Sequence, residues 1–264
     1  MRPAMKPTWI ERLLALLPKL APLWGALAFV ALWWVAVSLK LIDPILLPSP
    51  ADSARALWKG MTGGSLGHDF LRTVTRTLLS FIIAVAIAVP LGIVLGSSDK
   101  IYRAVEFIID FFRSTPASAM FPLFLVLFGV GEKTKIAVAA FGAALVILFN
   151  VAYGVMNARK LRQLAARVMG ASRIGVLTDV TFWESMPQTF VGMRSGVSLA
   201  LVIVIVAEMF IGSTDGLGQR VINSQMIFDM PEMYASIFAA GALGYCLNLL
   251  FLSIERKFVH WGGK

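Results

Sequence analysis

One acidic residue stands alone in a long apolar segment. Glu208 is the only charged residue between Ser195 and Thr214, a run of 20 residues. An ionised carboxylate inside an apolar helix is costly unless it is paired or hydrated, so such a residue marks a candidate gate, relay or pathway. A structural role is also consistent, because Glu208 could reach interfacial water or accept hydrogen bonds from backbone donors near Gly212. We favour a structural or gating role over direct contact with a substrate.

The segment from Arg113 to Pro122 is a second candidate. Pro116 and Pro122 each lack a backbone N–H, so a helix must bend or break at these positions. Irregular backbone within a membrane is tolerated only where it is buried in protein or lines a water-filled cavity. The segment is therefore a candidate pathway lining, with Arg113 at its inner mouth. A simple kink in a packing helix, with Arg113 as an anchor, is equally consistent with the pattern.

The residue patterns of an enzyme are missing from the sequence. The chain has two histidines and one cysteine, Cys246, so a multi-cysteine metal site and an intrachain disulfide are excluded. The stretch from Gly129 to Thr134 resembles the end of a phosphate-binding loop, but it lacks the adjacent Gly-Lys-Ser/Thr and the upstream glycine spacing. We predict no catalytic residue, no metal site and no cofactor bound by this chain.

These residues are carried by a strongly apolar chain. Its 264 residues are 58% hydrophobic and only 15% charged, whereas about 25% of the residues of soluble domains are charged. A helix needs about 20 apolar residues to cross a bilayer, and six segments approach or exceed that length. They are residues 21–39, 77–98, 114–131, 136–158, 195–214 and 233–254.

This pattern predicts an all-α, polytopic membrane protein with six transmembrane helices. The six-helix membrane domain is expected over residues 21–254, between an N-terminal segment, residues 1–20, and a tail, residues 255–264. Because six is even, both termini lie on one side. That side receives 16 Lys and Arg residues in its connectors and the other side receives 8. Basic connectors remain in the cytoplasm, so both termini are predicted to be cytoplasmic. The net charge of +9 reflects this bias rather than nucleic-acid binding.

The longest cytoplasmic connector is predicted over residues 159–194. Its 36 residues exceed the length that is needed to connect two antiparallel helices. Residues 170–172 predict a turn, and residues 176–186 predict a second helix that ends at Pro187. A first short helix precedes the turn, with an apolar face formed by Leu161, Leu164, Val168 and Met169. Such a protrusion suits a cytoplasmic partner, although a solvated loop without a partner is also consistent with the composition.

This connector resembles the cytoplasmic loop of binding-protein-dependent ABC importer permeases. That loop carries Glu-Ala-Ala, three spacers, Gly, nine spacers, Ile, one spacer and Leu-Pro. This chain has Leu164-Ala165-Ala166, three residues, Gly170, nine residues and Val180-Thr181-Phe182-Trp183. Leu164 replaces the glutamate and Trp183 replaces the proline. The next proline in the chain is Pro187.

Further motifs in the same order resemble the nitrate, sulfonate and taurine branch of these permeases. They are Leu47-Pro48-Ser49-Pro50, Val89-Pro90-Leu91-Gly92, Arg113-Ser114-Thr115-Pro116, Phe128-Gly129-Val130-Gly131-Glu132, Met169-Gly170-Ala171-Ser172-Arg173, Gly192-Met193-Arg194, Ala207-Glu208 and Gly216-Leu217-Gly218. The resemblance therefore extends from about residue 47 to about residue 218.

The resemblance implies a permease subunit of an ATP-binding-cassette importer in a bacterial-type cytoplasmic (inner) membrane. It implies that Ala165, Ala166, Gly170, Ala171 and Ser172 belong to a coupling loop that enters a cleft of a separate ATP-hydrolysing subunit. The small alanines would allow close helix packing, and Gly170 would allow the turn and a close approach of the two loop helices.

The implied partners are two ATP-hydrolysing subunits, a second permease subunit that is identical or homologous, an extracytoplasmic solute-binding protein and membrane lipid. ATP and Mg would be bound by the ATPase, and no nucleic acid is expected. The cargo would be a small solute, with an anion favoured. An ion-coupled secondary transporter is the alternative, but Glu208 is the sole charged residue within the six predicted spans, and one residue is little for an ion relay. A membrane-embedded enzyme is a third possibility, for which no motif is present.

Overall fold

The computed structural model describes residues 9–259 of the chain, with the side chains of residues 24–259. This part of the chain is helical and contains no β-strand. The α-helices, in chain order from α1 to α11, are Trp9–Ser38, Pro50–Thr62, Leu66–Gly96, Asp99–Ser114, Phe121–Phe128, Glu132–Met156, Lys160–Val168, Arg173–Gly175, Phe182–Phe210, Leu217–Met226 and Met230–Phe258. A 3₁₀ turn, Ala117–Met120, precedes α5, and a π-helical segment, Val176–Thr181, joins α8 to α9.

The core is formed by α3, α6 and α9, and α6 lies between the other two. Small residues bring these helices close together. A Cβ atom added to Gly92 of α3 would lie 2.7 Å from the Cβ of Val151, and one added to Gly196 of α9 would lie 2.6 Å from Ile147. Small residues at helix interfaces are typical of membrane proteins, where close backbone approach maximises van der Waals contact.

Four helices of the described chain are long and apolar enough to cross a membrane. They are Leu66–Gly96, Glu132–Met156, the continuous stretch Arg173–Phe210, and Met230–Phe258. Each contains most or all of one predicted span. The pair α4 and α5 makes a fifth if both belong to one broken span. The predicted all-α membrane fold is confirmed, whereas the count of six remains a prediction.

The first predicted span, residues 21–39, lies within α1. This helix already begins at Trp9, inside the predicted N-terminal segment. Its apolar part with described side chains, Trp24–Ser38, is shorter than 18 residues. Residues 1–8 and 260–264, which belong to the predicted terminal segments, lie outside the described residues.

The third predicted span is broken, as its prolines predict. The helices on either side of residues 115–116 meet at 93°. Pro116 starts the 3₁₀ turn, so the break coincides with the first proline. Pro122 makes no separate break, because it occupies the first turn of α5, where a proline costs no hydrogen bond. A short apolar helix, α5, therefore follows an amphipathic helix, α4, at a sharp corner.

The predicted end of a loop helix at Pro187 is wrong. Pro187 lies inside α9, and helical backbone continues from Arg173 to Phe210. Proline removes one hydrogen bond from a helix, at a cost of about 3 kcal/mol. The residues that follow pack along α6 over several turns, from Gly192 to Ala207, and this burial keeps the chain helical through the proline.

Candidate functional site

Glu208 lies in a closed polar pocket near the end of α9. Its side chain is 0% exposed, so the predicted contact with interfacial water is wrong. Thr73 Oγ1 lies within 3.0 Å of both carboxylate oxygens, and the backbone N–H of Gly218 donates to Oε2 at 2.9 Å. A backbone donor does bind Glu208, as predicted, but it comes from Gly218 rather than from the surroundings of Gly212.

The charge of Glu208 is balanced by Arg76 of α3. Arg76 is 2% exposed, and its Nη1 donates to Glu208 Oε1 at 2.7 Å. The same guanidinium donates to both carboxylate oxygens of Glu132, at 2.7 and 2.6 Å, and to the carboxylate of Asp215. One arginine therefore joins α3, α6, α9 and the turn before α10. We call Thr73, Arg76, Glu132, Glu208 and Asp215, together with the cations Arg72 and Lys135 described next, the Arg76 cluster.

Two further cations complete the charge balance. Arg72 Nε donates to Asp215 Oδ2 at 3.0 Å, and Lys135 Nζ lies 3.3 Å from Glu132 and 2.8 Å from the hydroxyl of Ser213. Three carboxylates thus face three cations. Burial alone would raise the pKa of Asp215, but hydrogen bonding and charge from Arg76, and then from Arg72, outweigh it and hold that pKa below its ordinary value.

The Gly216-Leu217-Gly218 motif closes over this pocket. A Cβ atom added to Gly216, whose φ is +111°, would lie 2.4 Å from Cδ of Glu208. One added to Gly218 would lie 2.1 Å from the carbonyl oxygen of Ile205. The N–H of Leu217, between the two glycines, donates to Thr73 Oγ1 at 2.9 Å. The motif requires glycine at both positions, because a side chain there would collide with Glu208 or with the backbone of Ile205.

A second ion-paired group lies beside the first. Arg220 of α10 donates to Asp69 at 2.8 Å and to Glu232 at 2.6 Å, and the N–H of Gly216 donates to the other oxygen of Asp69 at 3.0 Å. Burial alone would lower the pKa of Arg220, but the hydrogen bonds to Asp69 and Glu232 raise it. These pairs tie α10 to α3 and α11.

This arrangement suits a clamp better than an ion relay. Every oxygen of Glu208 is engaged by Thr73, Arg76 or Gly218. A buried carboxylate that is paired and hydrogen-bonded in this way loses much of its interaction energy if it moves. The geometry fixes the relative positions of three core helices at one end of the bundle.

The structure places Arg113, Pro116 and Pro122 at the corner between α4 and α5. Arg113 pairs with Asp110 at 3.2 Å, and its guanidinium carbon lies 4.6 Å from the ring centre of Phe149 on α6. A cation over an aromatic face adds about 0.5–1 kcal/mol at an exposed site. Arg113 thus holds α4 against α6, and the pathway assignment of this segment stays a prediction.

The predicted coupling residues lie together at the opposite end of the molecule. Ala165 and Ala166 belong to α7, and Gly170 ends that helix with φ +91°. The N–H of Gly170 donates to Arg167 O and that of Ala171 to Ala166 O, each at 3.0 Å, which is a Schellman cap. Ser172 caps α8 by accepting from the N–H of Gly175 at 3.1 Å.

The turn predicted at Gly170 is present and has a positive φ, whereas the predicted close approach of the two loop helices at this residue is wrong. Among the described residues, no heavy atom lies within 4 Å of a Cβ added there, so no close helix contact depends on Gly170. Its requirement is the left-handed backbone conformation, which costs other residues roughly 1 kcal/mol or more. The cap ends α7 and turns the chain toward α8.

The segment around this cap exposes a large apolar surface. We call it the α7 surface. Its members and exposed fractions are Leu161 79%, Leu164 58%, Val168 83%, Met169 86% and Ile174 74%. Contiguous apolar surface of this kind marks an interaction site on a protein.

The sequence interpretation missed Arg76, Glu132 and Asp215. Arg76 and Asp215 were assigned only to the predicted outer connectors, residues 40–76 and 215–232, and Glu132 was assigned to the outer connector 132–135 and to a motif. A usable signal was present, because Glu208 was placed near the outer end of its span, where these connectors meet. A buried carboxylate at that level needs a cation, and Arg76, like Lys40 and Lys135, is a cation of the predicted outer connectors that lies directly next to an apolar span.

Comparison with known proteins places the chain in a family. Residues 88–260 match the family described as binding-protein-dependent transport system inner membrane component. The chain is 28% identical to the taurine transport system permease protein TauC of Escherichia coli (strain K12) over 246 residues, 91% of this chain and 89% of that protein. It is 30% identical over 217 residues to a probable ABC transporter permease protein of Brucella melitensis, covering 82% of this chain and 88% of that one.

Another relative and one solved structure agree with this assignment. The putative aliphatic sulfonates transport permease protein SsuC of Escherichia coli (strain K12) is 27% identical over 243 residues, 92% of each chain. One chain in a structure of inward-facing conformations of the MetNI methionine ABC transporter has a similar fold, with TM-score 0.67 and 22% identity, over 76% of this chain and 98% of that chain. The chain belongs to the family of binding-protein-dependent transport system inner membrane components, the permease subunits of ABC importers.

Proposed function

We propose that this permease imports small sulfonate-type anions in the cytoplasmic membrane, with both termini in the cytoplasm. The names of its relatives support the substrate class, since they include a taurine permease and an aliphatic sulfonate permease. A second permease chain, identical or homologous, would enclose the pathway with it. The segment from Arg113 to Pro122 is the proposed lining, because its backbone is irregular and irregular backbone within a membrane is tolerated where it lines a water-filled cavity.

The α7 surface is the single observation that carries the energy-coupling part of the proposal. In a water-facing loop, five large apolar side chains more than half exposed are costly unless a partner covers them. We assign that partner to a separate ATP-hydrolysing subunit, one for each permease chain, with ATP and Mg bound there. This surface lies on two helices that contain or adjoin the predicted coupling residues. Ala165 and Ala166 belong to α7, Gly170 and Ala171 cap its end, and Ser172 caps α8.

The Arg76 cluster has a mechanical role in this proposal. It holds α3, α6 and α9 together at the end that faces the solute-binding protein. Movement of the α7 surface by the ATPase is then transmitted along the same three helices to the far end as a rigid-body change. A clamp with no net charge and a fully buried Glu208 attracts no substrate of its own.

Reconstitution tests the substrate class directly. The chain, its native ATPase subunit and its native binding protein would be placed in liposomes, and ATP-dependent uptake of radiolabelled taurine measured. We expect uptake, competition by unlabelled alkanesulfonates and none by a neutral amino acid such as alanine. Liposomes that lack ATP, or that lack this chain, are the controls. ATP-dependent uptake of alanine with no effect of sulfonates would contradict the proposed substrate class.

A further inference from the structure

A basic cleft lies at the end of the bundle opposite the Arg76 cluster. Its volume is about 400 Å³, and it opens between the ends of α3 and α6 and the segment that follows α6, residues 158–181. Gly96 and Ser97 close one side, and Val155 and Met156 close another. The cleft therefore begins where two apolar helices end, at the level where a membrane passes from hydrocarbon to headgroups.

Three cations converge on this cleft. Lys160, Arg167 and Arg173 all line it, and none lies within ion-pair distance of a carboxylate in the described part of the chain. Of the described residues, Asp99 is the one carboxylate in the lining. This contrasts with the Arg76 cluster, where cations and carboxylates are matched. A cleft with surplus positive charge recruits an anion.

The floor of the same cleft is apolar. Val155 and Val176 are 3% and 4% exposed and line it, together with Ile174 and Leu177. A free inorganic anion would use the cations but would gain nothing from this floor. An amphipathic anion would use both, since its charged group meets the arginines and its apolar part covers the valines. Basic pockets between transmembrane helices are suited to anionic lipid headgroups for this reason.

We propose that this cleft binds the phosphate group of an anionic phospholipid. Arg167 and Arg173 contact the phosphate, Lys160 adds charge at the rim, and the glycerol and the first acyl carbons lie over Val155 and Val176. Asp99 weakens the site, because its carboxylate repels the phosphate. The lipid thus joins the ends of α3 and α6 to α7.

Helix α7 presents separate faces to the lipid and to the proposed ATPase. Lys160, Gln163 and Arg167 face the cleft at positions i, i+3 and i+7. Leu161, Leu164 and Val168 are exposed at the same spacing one residue later, about 100° further around the helix. This part of the inference rests on the proposed function: bound lipid would hold α7 in place and leave Leu161, Leu164 and Val168 uncovered, although Ile174 of the α7 surface also lines the cleft.

Lipid binding to the full chain tests the site. The purified chain would be titrated in neutral detergent with phosphatidylglycerol and with phosphatidylcholine, and retained lipid counted by native mass spectrometry. We expect preferential retention of phosphatidylglycerol. The double variant Arg167→Gln/Arg173→Gln should bind it about 25-fold more weakly, from roughly five-fold for each cation near a membrane surface. Asp99→Asn should bind it more tightly, a gain that loss of structure would not produce.

Matched controls separate this site from general surface charge. The variant Arg103→Gln/Arg256→Gln removes two exposed arginines that do not line the cleft, and it should retain phosphatidylglycerol like the native chain. Equal loss in this control, or equal retention of the two lipids by the native chain, would overturn the site. In a parallel thermal-unfolding series, phosphatidylglycerol should stabilise the chain and millimolar inorganic phosphate should not. Equal stabilisation by inorganic phosphate would overturn the lipid assignment. These readouts need neither ATPase nor substrate, so failure of the proposed function would not imitate them.

Discussion

The two ends of the bundle solve opposite problems. At one end, the Arg76 cluster buries charged groups and satisfies them within one chain, so that Arg76 at 2% exposure and Glu208 at 0% contact each other. At the other end, the α7 surface leaves Val168 and Met169 more than four-fifths exposed. Charges are hidden where apolar surface would be expected, and apolar groups are exposed where charges would be expected.

This difference separates internal stability from assembly. A buried ion network is strongly destabilised when one partner is removed, so the Arg76 cluster should control whether the core helices hold together. An exposed apolar group that touches little can be replaced with little effect on folding. The α7 surface should therefore control what the chain binds. Substitutions at the two ends should then separate loss of stability from loss of coupling.

Removing the central cation should have the largest effect. We expect Arg76→Met to lower the free energy of unfolding by about 3–5 kcal/mol, because Glu208 is left buried without a cation. The measurement is SDS titration of the full chain in mixed micelles. Arg55→Met is the matched control, since Arg55 pairs with Asp52 on an exposed surface where its side chain is 71% exposed. Such a pair contributes about 0–1 kcal/mol.

A second substitution tests the cause of that loss. Arg76→Met/Glu208→Gln removes the unpaired charge and keeps an oxygen that can accept from Gly218 and Thr73. We expect the double variant to recover at least half of the stability lost in Arg76→Met. The single variant Glu208→Gln is measured as well. If the stability lost in the double variant equals the sum of the losses in Arg76→Met and Glu208→Gln, the two residues are not energetically coupled, and the clamp is not the source of stability at this end.

The helices themselves were largely predictable from sequence. Long apolar runs correctly located four helices that are long and apolar enough to cross a membrane, because the cost of burying polar groups in lipid fixes span length locally. Pro116 correctly located the break, since a missing donor is also a local property. Pro187 misled the same local rule, because packing along α6 outweighed one lost hydrogen bond.

The partners of Glu208 were not predictable in the same way. Arg76 is 132 positions away in sequence, and its contact depends on how α3 and α9 are aligned along their axes. Apolar patterns determine which face of a helix is buried, but they leave this axial position open. The Gly-Leu-Gly motif was recognised by resemblance alone. Its physical reason, the lack of space around Glu208 and Ile205, requires three-dimensional contacts.

The fit of that motif gives a second prediction. We expect Gly218→Ala to lower the free energy of unfolding by roughly 1–3 kcal/mol, because the new Cβ would stand 2.1 Å from the backbone oxygen of Ile205. Gly241→Ala in α11 is the matched control, with no atom within 4 Å of the added Cβ. The control should be neutral or slightly more stable, since alanine is favoured over glycine in a helix. Equal behaviour of the two variants in SDS titration would show that the motif does not close over Glu208.

The smallest effect on stability is expected at the α7 surface. The double variant Val168→Ser/Met169→Ser should change the free energy of unfolding by no more than about 0.5 kcal/mol, because these side chains are 83% and 86% exposed and have little packing to lose. The same variant should lose co-purification of the ATPase subunit and its stimulation of ATP hydrolysis. Leu41→Ser/Ile45→Ser is the matched control, with exposed fractions of 69% and 63% at the other end. If the control loses the ATPase subunit and the α7 variant keeps it, the ATPase subunit binds at the end of the molecule opposite to the one proposed. Loss of stability in the α7 variant beyond about 1 kcal/mol would show that this surface is packed within the chain, and the contrast between the two ends would no longer hold.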